Sequence, residues 1–297
     1  KTGVSTVTSG GVTNTFAVNY KDTRSTYMGG VNFKPNDDIL VYAKYSTGFV
    51  SGGAMAGYPY RPETVKSWEA GVKAGLFDRR LQVNLALFSA DYKNHQTTAF
   101  GSSLAPPQPQ LGSIVITGGN VKAKGFELET TAVPLPGLAL TANLGYTDQH
   151  IYDQDPFRLV CTGACVNFVQ NWVSKWTAQL SARYETDPLF GDARLMFRVD
   201  GNYRSEMSLE ARRLADGSTL QPRISASGLA ESPAGWVVNA RVALKDIALA
   251  GGNAEIALWS RNLFNNDRPG MAINFGPFFS APYEAARTYG VDLTFKY

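Results

Sequence analysis

Residues 172–184 read Trp172-Val173-Ser174-Lys175-Trp176-Thr177-Ala178-Gln179-Leu180-Ser181-Ala182-Arg183-Tyr184. Trp172, Ser174, Trp176, Ala178, Leu180, Ala182 and Tyr184 fall on one face, and Val173, Lys175, Thr177, Gln179, Arg183 and Glu185 on the other. Such a period of two marks a strand whose faces meet different surroundings. Bulky aromatics bracket the apolar face at both ends. Trp176 and Tyr184 are eight residues apart, or ~27 Å at ~3.3 Å per residue. With a tilt of about 40° that projects to roughly 20 Å, and Trp172 to Tyr184 to roughly 30 Å, which brackets the ~25 Å apolar band between the aromatic girdles of outer-membrane barrels. Aromatics of a soluble sandwich would instead sit mid-strand, facing a second sheet. The girdle spacing favours a strand that crosses a membrane.

The same alternation recurs along the chain. Trp236, Val238, Ala240, Val242 and Leu244 oppose Asn239, Arg241 and Lys245. Leu138, Leu140, Ala142, Leu144 and Tyr146 form a second apolar face, Ala193, Leu195, Phe197, Val199 and Tyr203 a third, and Tyr289, Val291, Leu293, Phe295 and Tyr297 a fourth. Trp68, Tyr146, Tyr203, Trp236 and Tyr289 are expected at strand ends. Short turns fall at Pro35–Asp38, Asp78–Arg80, Pro134–Gly137, Asp187–Asp192 and around Gly251. Long polar or Gly/Pro-rich stretches occupy 48–64, 95–118, 148–171, 205–234 and 265–286. Strict short–long alternation is the loop pattern of an up-and-down transmembrane barrel. The expected fold is therefore an all-β, antiparallel, up-and-down transmembrane β-barrel, here a partial barrel of about 11–12 strands.

Composition agrees. Of 297 residues, 44% are hydrophobic and only 18% charged, and Gly (29), Tyr (14) and Phe (16) are plentiful. Mean hydropathy is −0.17, and no window approaches the roughly 18 consecutive apolar residues of a transmembrane helix. The net charge of +3 is spread without a basic run, so no nucleic-acid partner is expected. The chain starts at Lys1 without an initiator Met, the mark of processing or of a piece of something longer. Cys161 and Cys165 lack a supporting His or Cys cluster and read as a short-loop disulfide, with a pair of free thiols as the alternative, rather than a zinc site.

Several segments resemble the C-terminal half of TonB-dependent outer-membrane receptors. They are Tyr42-Ala-Lys-Tyr-Ser-Thr-Gly-Phe49 with Ser51-Gly-Gly53, Pro62 to Lys73, Leu81 to Tyr92, Asn120 to Glu129 with Gly125-Phe-Glu-Leu-Glu129, Asn262-Leu-Phe-Asn265, and the terminal Phe295-Lys-Tyr297. The resemblance covers roughly residues 26–297. It implies a 22-stranded barrel in the Gram-negative outer membrane, plugged by an N-terminal domain and importing a scarce nutrient. Its energy would come from TonB, the periplasmic coupling protein, acting through the plug. A ferric siderophore is the expected ligand; cobalamin, haem and oligosaccharide stay open. Phe295 and Tyr297 resemble the terminal signal read by the barrel-insertion machinery. The plug and its coupling box have no counterpart in this sequence, so its partners would include the N-terminal plug and barrel strands it lacks, besides outer-membrane lipid.

Eleven strands can be counted from Tyr27, and an odd number does not close a bacterial barrel. Residues 1–25 are then an outer-loop remnant and 26–297 the C-terminal part of the barrel. Alternatively Phe16, Val18 and Tyr20 belong to a twelfth strand, giving a small complete barrel that acts as a passive pore or translocator.

Ligand contacts are expected in long loops, from Tyr58, Tyr60 and Arg61 in one and Phe275, Phe278, Phe279 and Tyr283 in another, since aromatics stack on planar or sugar-like groups and Arg pairs with anionic chelates. Glu127 and Glu129 should face the barrel interior. Lys122 and Lys124 fall on the opposite parity, which suggests a bulge near Gly125. His95 and His150 read as loop histidines beyond strand ends, near Asp91 and Asp153. Gly-x-Ser-x-Gly is absent, so no catalytic residue, metal site or cofactor is expected, and the protein is not expected to be an enzyme.

Overall fold

A computed structural model describes residues 2–9, 12–55, 58–100, 113–153, 167–168, 171–209, 212–213, 231–274 and 279–297. Eleven strands form one sheet: β1 (Met28–Asn36), β2 (Ile39–Val50), β3 (Glu63–Leu76), β4 (Leu81–Phe100), β5 (Ser113–Leu135), β6 (Leu138–Asp153), β7 (Trp176–Glu185), β8 (Arg194–Arg204), β9 (Gly235–Leu249), β10 (Gly252–Arg261) and β11 (Thr288–Lys296). Each pairs antiparallel with its sequence neighbours, an unbroken meander.

Tight turns close one end. Phe77, Asp78 and Arg79 turn left-handed between β3 and β4, and Ala250 with Gly251 do so between β9 and β10. The other end, called outer here, carries the long connections. Strands β4 and β5 are 20 and 23 residues long, more than a bilayer needs, so they project beyond it as a hairpin.

One face of the sheet is apolar. Val31 is 71% exposed, Leu258 60%, Val291 63% and Leu293 76%. A water-facing protein does not present so broad an apolar wall; this face is solvated by lipid. Its aromatics touch in steps from strand to strand, Tyr27–Tyr45–Trp68, then Phe126–Tyr146–Trp176, then Tyr203–Trp236. They mark one level: Tyr203, Trp236 and Tyr289 lie one residue inside a strand end, as expected, whereas Trp68 and Tyr146 lie mid-strand because β2–β6 continue past it. Between the girdle and the tight turns, the opposite face carries the ion pairs, such as Lys44–Glu69, Arg198–Asp200 and Arg241–Glu255. There Met196, Ala243 and Ala257 pack into a small buried cluster.

Four expectations need correction. Trp172 lies outside β7, which begins at Trp176; its backbone turns left-handed (φ 59°) and its N–H donates to the Ser208 carbonyl. The apolar band is thus set by Trp176 and Tyr184. No bulge occurs at Gly125: β5 pairs in plain register with β6 from Val121 to Ala132, and the shifts lie at Leu138/Leu140 and Ile151/Asp153. Glycine is needed at 125 because a Cβ there would lie 1.8 Å from the Tyr146 carbonyl oxygen and 2.8 Å from the Phe88 ring. The candidate twelfth strand adds no stave, since Val12–Asn19 pairs with Thr2–Ser9 in a separate two-stranded sheet. His95 and His150 stand within β4 and β6 rather than in loops, because both strands run beyond the membrane.

Candidate functional site

The polar face of β2–β5 forms a concave wall lined by Tyr42, Glu69, Lys73, Asn84, Glu127 and Glu129. Alternation places these side chains together: Glu127 pairs across with Ala86 and Glu129 with Asn84, both of the same parity. Lys44 Nζ lies 2.8 Å from Glu69, whose other oxygen accepts the Tyr42 hydroxyl at 2.9 Å. Asn84 donates to Glu129 at 3.4 Å. Among the described residues neither Glu127 nor Glu129 has an ion-pair partner, so this patch carries surplus negative charge. Further round, the carboxylates are matched. Arg198 forks onto Asp200, Lys245 lies 3.3 Å from Glu185, and Arg241 bridges Glu255 and Asp292. The wall is a charged, hydrated lumen surface with one unneutralised acidic sector.

At the outer mouth a second network ties a loop ribbon to the strands. Residues Gly53–Met55 pair with Tyr58–Tyr60. The Arg61 N–H donates to Thr117 Oγ1 at 2.9 Å, and Gln96 Nε2 donates to the carbonyls of Ser51 and Arg61. Glu63 accepts the Gln96 N–H at 2.7 Å and meets His95 Nδ1 at 3.3 Å. Glu63 stands above the girdle residue Trp68. Burial alone would raise its carboxyl, but the hydrogen bonds from His95 and the Gln96 N–H, with the charge of His95, hold it below the ordinary carboxylate value.

A third network orders the connection between β10 and β11. Asn262, 3% exposed, donates to the carbonyls of Asn266 and Ala285 at 2.8 Å each and accepts the Asn266 N–H at 2.8 Å. Asn265 accepts the Arg287 N–H at 3.1 Å. Both Asn262 and Asn265 sit at positive φ, where Asn is tolerated better than most residues. That is the physical content of Asn262-Leu-Phe-Asn265. Beneath it the buried Arg268 guanidinium donates to the Gly235 carbonyl at 2.7 Å, and Arg204 reaches Ser232 Oγ and the Pro269 carbonyl at 2.8 Å. Glu284 lies 3.6 Å from Arg268 and 3.7 Å from Arg204.

Of the sequence-predicted ligand contacts, Tyr58, Tyr60 and Arg61 lie on or beside the ribbon at the mouth, with Arg61 exposed. Tyr283 is exposed and its backbone bridges Pro269 in the β10–β11 connection. Phe279 lies in the short strand Phe279–Ser280. Phe275 and Phe278 fall outside the described residues, as do Cys161 and Cys165. His150 lies beside Lys122 on the outward face, and Asp91 accepts the Tyr152 hydroxyl; no group of three metal-ligating side chains occurs among the described residues. Sequence reasoning missed the Glu63–His95–Gln96 and Arg204–Arg268–Glu284 networks. Their one visible signal was charge within Gly/Pro-rich loops.

An apolar outer wall, stepped aromatics, a charged inner wall and long connections at one end define an integral outer-membrane β-barrel. The family profile described as "TonB dependent receptor-like, beta-barrel" matches residues 2–263, and the chain belongs to that family, whose home is the Gram-negative outer membrane. The ferric-pyoverdine M114 receptor PbuA of Pseudomonas sp. (strain M114) is 31% identical over 141 residues, 44% of this chain and 16% of that protein. The ferrichrome outer membrane transporter/phage receptor of Escherichia coli K12 is 26% identical over 194 residues, 61% of this chain and 24% of that protein. The chain thus spans a quarter or less of the length of these relatives. Among solved structures, the ferric preacinetobactin receptor BauA of Acinetobacter baumannii superimposes with a TM-score of 0.65 at 17% identity, over 96% of this chain and 37% of that one. The ferric yersiniabactin uptake receptor FyuA of Yersinia pestis gives 0.65 at 15% identity, over 95% and 37%. At such identities the likeness is one of fold.

Proposed function

We propose that this chain is the C-terminal half of the barrel wall of a receptor that imports a ferric siderophore-type chelate across the outer membrane, driven by TonB. The observation that carries this reading is the open meander. Among the described residues strands β1 and β11 each present a free edge, which lipid does not tolerate, so further strands would close the wall. The acidic sector at Glu127 and Glu129 faces the lumen, where a plug's basic surface would neutralise it. Ligand capture falls to the mouth, with Tyr58, Tyr60, Arg61, Phe275, Phe278, Phe279 and Tyr283 as contacts. The names of the relatives, receptors for pyoverdine and ferrichrome, support an iron chelate. Residues 1–25 are read as outer loop, Cys161–Cys165 as a disulfide at a loop tip, and Phe295 with Tyr297 as the insertion signal; those two rings stack edge-on at 4.7 Å. The barrel performs no covalent chemistry in this reading.

The test is uptake of radio-iron chelates by cells carrying the full-length receptor as their sole ferric-chelate transporter, with and without TonB. Saturable, TonB-dependent uptake of one chelate, weakened by Arg61→Ala, is expected. Ligand-independent ion conductance without chelate uptake would support a passive pore and sink the receptor reading.

A further inference from the structure

One side chain fastens both ends of the ribbon at the mouth. Gln96 Nε2 donates to the Ser51 carbonyl at 3.2 Å and to the Arg61 carbonyl at 3.0 Å. A single amide, with its two donors, thus gathers chain positions ten residues apart. The Gln96 N–H is itself held by Glu63 at 2.7 Å, which fixes the place on β4 from which the amide reaches. The rest of the fastening comes from the same β4–β5 hairpin. Thr117, buried on β5, accepts the Arg61 N–H at 2.9 Å, and Asn94 Nδ2 donates to the Pro62 carbonyl at 3.3 Å. Asn94 is left-handed (φ 54°), with its N–H donated to Asn120 Oδ1 at 2.9 Å.

Arg61 therefore has both its backbone polar groups held by side chains of the tall hairpin. Its guanidinium is treated in the opposite way. It is exposed, and among the described residues it has no hydrogen-bond or ion-pair partner. The nearest carboxylate in sequence, Glu63, is already engaged by His95 and Gln96. The neighbouring Tyr60 is half-buried with its ring edge against Gly53, where a Cβ would lie 2.6 Å from the hydroxyl, so the ribbon has no slack on that side. A loose loop would spread this cation over many positions. A fixed backbone confines it to the rotamers of one side chain, and a loop ordered beforehand spares a ligand the cost of ordering it. A free guanidinium on a fastened backbone suits recognition of an anion, such as a carboxylate.

We propose that Gln96 is a positioning residue: by stapling Ser51 to Arg61 it aims the Arg61 guanidinium at an anionic group of the chelate. The proposal rests on the receptor reading above, and it gives Gln96 and Thr117 effects that pass only through Arg61. The test uses the full-length receptor and two probes, the ferric complex of a trihydroxamate bearing a free carboxylate and that of its methyl ester. Gln96→Met keeps the side chain's length and removes both donors; Thr117→Val keeps its shape and removes the acceptor. Each should raise Kd for the carboxylate probe roughly 10-fold and shift that for the ester less than about twofold, the ester offering Arg61 no charge. In cells the loss should appear in the half-saturating concentration and not in the uptake rate at saturation. In an Arg61→Ala background neither substitution should cost anything further, because effects that share one path do not add. A nitroxide attached at Arg61→Cys should gain mobility when Gln96→Met is introduced, a reading that needs no chelate. Heat-modifiable migration checks that each variant is folded, and either of the two staple variants suffices. Equal losses for acid and ester, additivity with Arg61→Ala, or a label indifferent to residue 96 would overturn the proposal. Binding of neither probe by the wild type would overturn it too, and uptake with and without TonB then tells whether the receptor reading fails alongside.

Discussion

Leu180→Arg and Gln179→Arg place the same charge at adjacent positions of β7, and the fold predicts opposite fates for it. Leu180 is midway between Trp176 and Tyr184, four residues from each, which is ~13 Å along the strand and about 10 Å in depth at barrel tilt. It is 47% exposed on the outward face. Its cross-strand neighbours Ala142 and Gly201 are too small to shield a guanidinium. An arginine at the midplane of a barrel wall costs ~2–4 kcal/mol, a factor of roughly 30 to 900 in the folding equilibrium. Gln179 faces the lumen, where it accepts one exposed hydrogen bond from Asn143 at 3.3 Å, and losing that costs ~1 kcal/mol or less. The assay is reversible urea or guanidinium unfolding of the full-length receptor in lipid vesicles, followed by tryptophan fluorescence and heat-modifiable migration. Equal losses in the two variants, or a larger loss from Gln179→Arg, would refute the assignment of faces on which every functional statement above depends.

Asn262→Ala removes three hydrogen bonds at a buried left-handed residue and should loosen the β10–β11 connection by about 2–4 kcal/mol, seen as faster amide exchange over residues 263–287; unchanged protection would contradict the capping role. Because the Glu63 carboxyl is held below its ordinary value in the folded mouth, its contribution is present above the ordinary carboxylate pKa and lost as pH falls through the lowered one. Proteolytic nicking of the ribbon at 53–60 should therefore rise on acidification through that window, and Glu63→Gln should flatten the profile; a wild-type profile in the variant counts against the network. Expressed alone and refolded in detergent, residues 1–297 should give no heat-modifiable monomer, since two sheet edges stay unpaired; such a band would show that the wall closes without further strands.

The amino-acid pattern carried most of the architecture. Alternation in Leu138–Tyr146, Trp236–Leu244 and Tyr289–Tyr297 sufficed to place eleven strands in their order, and the short turns lie where Asp, Gly and Pro cluster. Strand ends at the outer side were not legible. Residues 48–64, 95–118 and 148–171 look like loop because they are polar, yet β2–β6 extend into them, since backbone pairing continues after the membrane stops dictating side chains. The networks at the mouth were hidden for a related reason. Glu63 is 32 and 33 residues from His95 and Gln96, and Arg204 and Arg268 belong to separate strands and loops. Only the meander brings them together.

Lys122 and Lys124 show the physical limit of reading a face from its alternation. Period two assigns each parity one environment, so two lysines in phase with Phe126 and Leu128 looked like a register error. The structure keeps the register and changes the environment. Below Phe126 the outward face meets hydrocarbon, where leucine and alanine are favoured; above it, the same face meets headgroups, where an ammonium is favoured and an anion is at hand. A strand longer than the bilayer must therefore switch composition on a constant face, and the girdle aromatic marks the row of the switch. On β5 the switch goes to lysine, on β6 to Asp148 and His150, and on β11, outward of Tyr289, to Arg287. Girdle position thus divides residues selected by hydrocarbon from residues selected by headgroups and water on this wall.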